Sequence, residues 1–190
     1  MADVAVRDEI EQATLAAESW SGGLDVVVAN AGIGSGTSRL AKADDVEKVT
    51  GINYLGAVWT LLAGAGPMSE RRRGTLVAVS SVAAMKGLPR GAEYSASKAA
   101  LDTFCEGLRV QLRPSNVKLL LVRPGFVETP LSAKVKTKPF EISADEAARR
   151  IADALASDRR LLQFPWPLIW VMRAVSVLPD WLYERIAKKI

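Results

Sequence analysis

The sequence contains no histidine and only one cysteine, Cys105. A single thiol cannot form an intramolecular disulfide, and this cysteine usage fits a reducing cytoplasm. Without histidine, a zinc site built from the usual ligands is out of reach, so no metal is expected. A run of about eighteen apolar residues is also absent, because Arg173 and three prolines interrupt the most apolar segment. The sequence therefore argues against a membrane-spanning helix.

The sequence also lacks a strong excess of charge of one sign. Its formal net charge of +4 comes from 25 basic and 21 acidic residues, and the densest basic run is only Arg71 to Arg73. We interpret this run as a helix end, where cations interact favourably with the helix dipole. A nucleic-acid partner would require a basic face or a known binding module, and neither is visible. The charged residues 1–11 do not resemble a secretory signal, which again favours a cytoplasmic location.

Strand-like and helical patterns alternate along the chain, whose 190 residues fit one domain. The run from Leu24 to Ala29 contains three consecutive valines and no polar alternation, which is typical of a parallel strand covered on both faces. Similar runs extend from Thr75 to Val79 and from Val117 to Val122, and a shorter one from Arg160 to Phe164. Helical spacing covers residues 6–19, 44–70 with a break near Gly51, 93–112 and 143–156. The sequence predicts an α/β fold whose parallel strands are ordered as they occur in the chain.

The residues most suggestive of chemistry are Tyr94 and Lys98 near the start of a predicted helix, and Ser81 after the preceding strand. Side chains four residues apart share a helical face, and a buried ammonium near a phenol favours the phenolate. Tyr94 can then exchange a proton near neutral pH, and a serine at the carboxyl end of a strand can bind a substrate oxygen. Taken alone, the tyrosine and lysine would more simply be a surface pair on an amphipathic helix.

Several short motifs together resemble the short-chain dehydrogenase/reductase family in order and spacing over about residues 24–129. These motifs are Asn30-Ala31-Gly32, Asn53, Ser81, Tyr94-Ser95-Ala96-Ser97-Lys98 and Pro124-Gly125-Phe126-Val127-Glu128-Thr129. Ser81 precedes Tyr94 by thirteen residues, as the catalytic serine does in that family, whereas we interpret Ser80 as a strand-end partner. The resemblance implies a Rossmann-like sheet and an oxidoreductase that uses NAD or NADP to interconvert a hydroxyl and a carbonyl.

The resemblance also implies a role for each matching residue. Tyr94 would be the general acid/base, Lys98 would lower its pKa and hold the nicotinamide ribose, and Ser81 would position the carbonyl. Asn53 would hold a water that links Lys98 to solvent, a role compatible with a helix-kink cap beside Gly51. Further cofactor contacts are expected from three segments, namely Asn30, Ala31 and Gly32; Pro124, Gly125, Val127 and Thr129; and Asp3 and Val4, which match an adenine-contacting Asp-Val pair.

The family's glycine-rich strand-turn-helix, which cradles the cofactor pyrophosphate, has no match before Asp3. The spacing of Gly32, Gly34 and Gly36 resembles that turn, but a threonine follows and no strong helix opens, so we interpret it as accidental. Two hypotheses stay open. The chain is either an incompletely recorded oxidoreductase, or a non-catalytic relative that keeps the fold for an interaction or scaffold role. In both cases the strand Leu24–Ala29 is expected to form an exposed edge.

The segment 161–190 is the least similar to the family. It carries Trp166, Trp170 and Trp181 among apolar residues and closes with Lys188 and Lys189. Two interpretations stay open: a helix lying on a membrane surface, or a cap folded over the substrate pocket or a partner subunit, which we favour. The expected substrate is a small-molecule alcohol or ketone, and the tryptophans suggest an apolar or lipid-like carbonyl. The resemblance also implies a homo-oligomer.

Overall fold

The computed structural model describes residues 1–34, 40–133 and 135–187. Gly36, Lys188 and Lys189, named above, lie outside the described residues. The elements follow in the order α1 Arg7–Ser21, β1 Val26–Ala29, α2 Ala43–Thr50, α3 Ala57–Arg71, β2 Thr75–Val79, α4 Ala92–Leu112, β3 Lys118–Pro124, α5 Ala144–Ala156, β4 Leu161–Phe164, α6 Trp166–Ser176 and α7 Asp180–Ala187.

The four strands form one parallel sheet in the spatial order β1-β2-β3-β4. Val28 pairs with Val77, Val77 with Leu120, and Val122 with Leu162. The predicted α/β fold, Rossmann-like sheet and strand order are therefore confirmed, although β1 begins two residues later than expected and β3 continues to Pro124. Because all strands run in one direction, their carboxyl ends meet at one edge of the sheet, where ligands bind in such folds.

Helices cover both faces of this sheet. Leu76 and Leu121 belong to a core cluster with residues of α3 and α4, whereas Val77 and Leu120 pack with residues of α5. Successive strand residues point to opposite faces, so burial on both sides explains why the strand sequences are apolar without alternation.

The helical segment that was expected to break near Gly51 instead continues and changes type. A π-helix, Gly51–Gly56, joins α2 to α3. Gly51 itself keeps helical dihedral angles, since glycine permits a break but does not impose one. At Gly56 a Cβ atom would lie 2.6 Å from the carbonyl oxygen of Val4, so glycine is needed for the N-terminal segment to pack here.

Two boundaries agree with the sequence interpretation. Helix α3 ends at Arg71, and Arg72 caps it in the left-handed conformation with a φ of 54°, so the arginine run does mark a helix end. Strand β1 lies at the edge of the described sheet, and Val26 and Val28 are 43% and 48% exposed there. This edge therefore presents apolar side chains and unpaired backbone groups to solvent.

The C-terminal segment folds back onto its own chain. Helix α6 packs its inner face against Val82, with Met85, Leu88 and Phe126 partly buried at its border. In α7 the Tyr183 hydroxyl donates a hydrogen bond to the carbonyl oxygen of Gly87. Among the described residues, no helix is both long enough and apolar enough to cross a bilayer.

Candidate active site

Ser81 and Tyr94 lie together at the carboxyl ends of the strands. Ser81 follows β2 and caps a short 3-10 turn, where its hydroxyl accepts a hydrogen bond from the Ala83 N–H at 3.1 Å. Tyr94 lies in the first turn of α4, which begins after Gly91, a residue whose φ of 121° favours glycine. The Ser81 hydroxyl is close enough to the Tyr94 phenol to influence its protonation. They therefore flank one position that a substrate oxygen can occupy.

Lys98 is buried one helical turn after Tyr94. Its ammonium donates a hydrogen bond to the Val79 carbonyl oxygen at 2.8 Å and lies 6.0 Å from the centre of the Tyr94 ring. Burial lowers the pKa of Lys98 from its usual 10.5 to about 8, while the nearby charge of Asp102 opposes this fall. An ammonium has three donors, and Val79 is its only acceptor within the described part of the chain. Two donors are thus left for a ligand.

Tyr94 keeps its proton in this geometry. Burial raises the pKa of the phenol above its usual value, and the nearby Ser81 hydroxyl offsets only part of that rise. The net direction is therefore opposite to the lowering expected from Lys98, because burial of the phenol is the largest effect. At neutral pH Tyr94 is therefore ready to donate a proton.

Asn53 is fully buried in the π-helix and holds the backbone that follows β1. Its Oδ1 accepts a hydrogen bond from the Ile33 N–H at 2.8 Å, and its Nδ2 donates to the Ile33 carbonyl at 2.9 Å and to Ser97 Oγ at 3.3 Å. Both amide hydrogens are therefore used within the protein. The side chain of Asn53 therefore positions the segment around Ile33, and its expected link to a water stays a prediction.

The segment after β1 is open to a ligand beside Lys98. Asn30, Ala31 and Gly32 are exposed. A Cβ atom at Gly32 would lie 3.3 Å from Asn53 Oδ1 and 3.6 Å from Lys98 Nζ, so a side chain here would crowd the polar centre of the site. The open backbone and the two free donors of Lys98 fit the ribose and adenosine portions of a nicotinamide dinucleotide.

Pro124 ends β3, and Gly125 follows it at the point where α6 packs on the backbone. Pro124 pairs with Phe164 as the last residue of its strand, and the Gly125 N–H donates to the Phe164 carbonyl at 2.7 Å. A Cβ atom at Gly125 would lie 2.7 Å from Leu168 Cδ2 and 2.8 Å from Pro165 Cδ. Glycine is required here because α6 packs directly on the backbone.

The loop that carries Val127 and Thr129 is organised by Ser132. The buried Ser132 hydroxyl donates to the Val127 carbonyl at 2.8 Å and accepts from the Thr129 N–H at 3.3 Å. Asp3 and Val4 lie outside this loop, at the N-terminus. Asp3 Oδ1 accepts from the Ala5 N–H at 2.9 Å, and Val4 packs on the π-helix.

Asp102 is a buried carboxylate that the motifs did not indicate. It is 6% exposed, lies one turn after Lys98 in α4, and accepts a hydrogen bond from Arg123 Nε at 2.7 Å. Burial raises the pKa of Asp102, while Ser80 and Arg123 oppose that rise. The Ser80 hydroxyl also donates to the Lys98 carbonyl at 3.3 Å, so it is a strand-end partner. The sequence signal that could have identified Asp102 is its spacing of four residues from Lys98.

Cys105 lies one turn further along α4 and is fully buried. Burial raises the pKa of its thiol to about 12. The thiolate needed for nucleophilic chemistry is therefore not formed near neutral pH. Across the part of the chain that the structure describes, no group of three His, Cys, Asp or Glu residues could hold a metal ion.

Comparisons with known proteins identify the family of this chain. A family model for short chain dehydrogenases matches residues 1–139. An uncharacterized oxidoreductase of Myxococcus xanthus is 40% identical over 192 residues, which cover 99% of this chain and 75% of that protein.

Two solved structures share the fold. A short chain dehydrogenase/reductase from Burkholderia phymatum in complex with NAD has a TM-score of 0.82 at 22% identity, covering 90% of this chain and 72% of that one. An alcohol dehydrogenase from Thermococcus sibiricus, complexed with 5-hydroxy-NADP, has a TM-score of 0.75 at 25% identity, with coverage of 86% and 71%. The family match and the Myxococcus relative together show that this chain belongs to the short-chain dehydrogenase family.

Proposed function

We propose that the protein is an NAD- or NADP-dependent oxidoreductase that interconverts a hydroxyl and a carbonyl group. The observation that carries this proposal is the proximity of Tyr94 to Ser81 and to the buried ammonium of Lys98 at the carboxyl ends of the strands. The Myxococcus relative, which is named an oxidoreductase, supports the reaction class. The NAD and 5-hydroxy-NADP bound in the two related structures support a nicotinamide cofactor.

Ser81 and Tyr94 would act on the same substrate oxygen. The Ser81 oxygen already accepts from Ala83, which leaves its O–H to donate to the carbonyl. Tyr94, protonated at neutral pH, would give its proton to that oxygen as the carbonyl becomes a hydroxyl, and would take it back in the reverse reaction. The nicotinamide, when bound, supplies or accepts the hydride.

Lys98 would assist the proton transfer and would also bind the cofactor. Its ammonium stabilises the phenolate that remains after Tyr94 has given up its proton, since opposite charges favour each other in a buried site. The two donors that Val79 does not use would bind ribose hydroxyls. Asp102, one turn behind, would help the ammonium to keep its charge, because a nearby anion raises the pKa of Lys98.

The remaining contacts would surround the cofactor. Asn30, Ala31 and Gly32, held in place by Asn53, would face the adenosine half. The loop after β3 would face the nicotinamide through Val127 and Thr129, with Pro124 and Gly125 shaping its start. Asp3 and Val4 stay proposed adenine contacts.

The proposed substrate is an apolar alcohol or ketone. The residue after Ser81, Val82, belongs to an apolar cluster that includes Leu168, Ile169 and Met172 of α6. Phe126 and Leu88 border the same cluster. A substrate whose oxygen lies between Ser81 and Tyr94 would therefore find apolar side chains around the rest of the molecule.

The test replaces Tyr94 by phenylalanine, which deletes only the oxygen that transfers the proton. Turnover of a panel of apolar ketones, followed through the absorbance of the reduced nicotinamide, should fall by about 10²-fold or more. Cofactor affinity, measured by titration, should stay nearly unchanged. Tyr54→Phe is the matched control, because Tyr54 packs edge-on against Phe104 in the core. This variant should keep the activity of the wild type. Retention of more than about a tenth of the rate by Tyr94→Phe would contradict the role.

The exposed edge of β1 favours a second candidate, a non-catalytic role in which this edge binds another chain. The two candidates differ in dinucleotide binding. NAD and NADP should be titrated into the 190-residue chain and into the same chain joined at its N-terminus to a glycine-rich strand-turn-helix. Binding and turnover in the joined form support the oxidoreductase, whereas their absence in both forms supports the interaction role.

A further inference from the structure

Helix α6 is apolar on two opposite faces. The inner face is buried on the body of the protein through Leu168, Ile169 and Met172. On the outer face Trp166 and Trp170 are 73% and 61% exposed, and Val177, which follows the last residue of the helix, is 80% exposed. Their spacing of four and seven residues places them in one stripe along the solvent side. A surface helix of a soluble domain normally has one apolar face, so the outer stripe indicates a partner.

Cations lie beside the exposed tryptophans. The Arg173 guanidinium stacks on the Trp170 ring at 5.3 Å from its centre. Helix α7 repeats this combination, with Trp181 68% exposed and Arg185 one turn later on the same side. Within the described ranges, neither arginine forms a salt bridge. Arg173 donates a hydrogen bond to the neutral Gln163 Oε1 at 3.1 Å, so its positive charge, like that of Arg185, has no carboxylate partner there.

Contacts with the body fix this surface next to the candidate active site. Lys86 Nζ lies 3.8 Å from the Asp180 carboxylate and 4.8 Å from the centre of the Tyr183 ring. Two residues further on, the Leu88 N–H donates to Ser95 Oγ at 3.2 Å, directly after Tyr94. The two helices therefore lie beside the segment that leads into the start of α4.

We propose that the outer face of α6 and α7 is a docking surface for an anionic lipid bilayer. Indole rings favour the headgroup level of a bilayer, where the ring is in apolar surroundings and its N–H can be hydrogen-bonded. Arginines at the same level attract anionic headgroups. A second copy of this chain fits less well, since a twofold contact through the stripe would bring the same unpaired cations together.

The test is flotation of the 190-residue chain with vesicles of phosphatidylcholine alone, or of phosphatidylcholine mixed with phosphatidylglycerol, without cofactor or substrate. The chain should bind the mixed vesicles, and high salt should weaken this binding by screening the arginines. Brominated lipid should quench the tryptophan emission of the bound wild-type chain. The quenching requires no substitution, and the experiment is independent of the proposed reaction.

Substitutions then locate the contact. Trp166→Ser combined with Trp170→Ser should lower partitioning more than about tenfold. Arg173→Gln combined with Arg185→Gln should lower it about tenfold or more on the anionic vesicles only. The matched control Trp20→Ser removes an indole that is 91% exposed on α1, remote in sequence from this surface, and should leave binding unchanged.

Absence of wild-type binding to the anionic vesicles would overturn the proposal. The same holds if Trp20→Ser loses as much binding as the double tryptophan variant. A dimer that the double tryptophan variant dissociates, together with absent vesicle binding, would assign the surface to a second copy of the chain and refute the lipid contact.

Discussion

Replacing Lys98 by methionine should stabilise the folded chain at neutral pH. Lys98 is 4% exposed, and burial lowers its pKa from 10.5 to about 8. At about 1.36 kcal/mol per pKa unit, keeping this lysine charged in the folded state costs about 3 kcal/mol. Methionine fills a similar space without charge but loses the hydrogen bond to the Val79 carbonyl, worth about 1 kcal/mol. The expected net gain in the free energy of unfolding is about 2 kcal/mol.

This gain should disappear as the pH rises. Between pH 8 and 10.5 the folded wild-type chain binds fewer protons at Lys98 than the unfolded chain does, so its stability rises through that window. The cost of the buried charge is fully present below about pH 8 and is lost above pH 10.5. The variant lacks this rise. Its advantage of about 2 kcal/mol should therefore change into a deficit of about 1 kcal/mol, the lost hydrogen bond.

Urea unfolding followed by circular dichroism, at about pH 7 and about pH 11, measures both values. Lys136→Met is the control, because Lys136 is exposed and its replacement should change stability little at either pH. A Lys98→Met protein that is less stable than wild type at pH 7, by an amount that does not vary with pH, would refute the argument. It would show that the folded chain compensates the buried ammonium in full.

Asp102→Asn should lower the pKa of Lys98 still further, since it removes the anion that opposes the effect of burial, and an NMR titration of the lysine side chain measures this. An unchanged titration would rule out this coupling. Gly125→Ala should destabilise the fold by about 1–3 kcal/mol through its clash with α6, whereas Gly107→Ala, with open space around the added carbon, should not; equal melting temperatures would contradict the packing argument. The 190-residue chain should self-associate through β1, and Val28→Lys should shift it towards the monomer in size-exclusion chromatography. A heat-stable wild-type monomer whose melting temperature rises by several degrees with NAD or NADP would refute this prediction.

The sheet and the placement of Tyr94 near Lys98 could be predicted because their signals are local. Each strand carries its own apolar run, such as Val26 to Val28, and burial on both faces leaves that run without alternation. Tyr94 and Lys98 share a helical face by their spacing alone. Information of this kind survives in a single sequence, because it does not depend on residues far along the chain.

The features that could not be predicted depend on contacts between distant segments. The π-helix follows from the close approach of Val4 to Gly56 and from the hydrogen bonds of Asn53 to Ile33. The direction in which the pKa of Tyr94 is shifted depends on the burial of the phenol, which the sequence spacing does not reveal. The partner of Asp102 is found only when the end of β3 is placed against α4.

The π-helix has a consequence for how this region can change. It adds a residue to one turn, so the hydrogen-bond register before Gly51–Gly56 is offset from the register of α3. Deleting one residue there would restore a continuous α-helix and rotate one part against the other by about 100°. Asn53 would then turn away from Ile33 while Leu61 kept its place in the core. A deletion of one residue within this turn would therefore break the hydrogen bonds between Asn53 and Ile33. The apolar packing of α3 would stay intact.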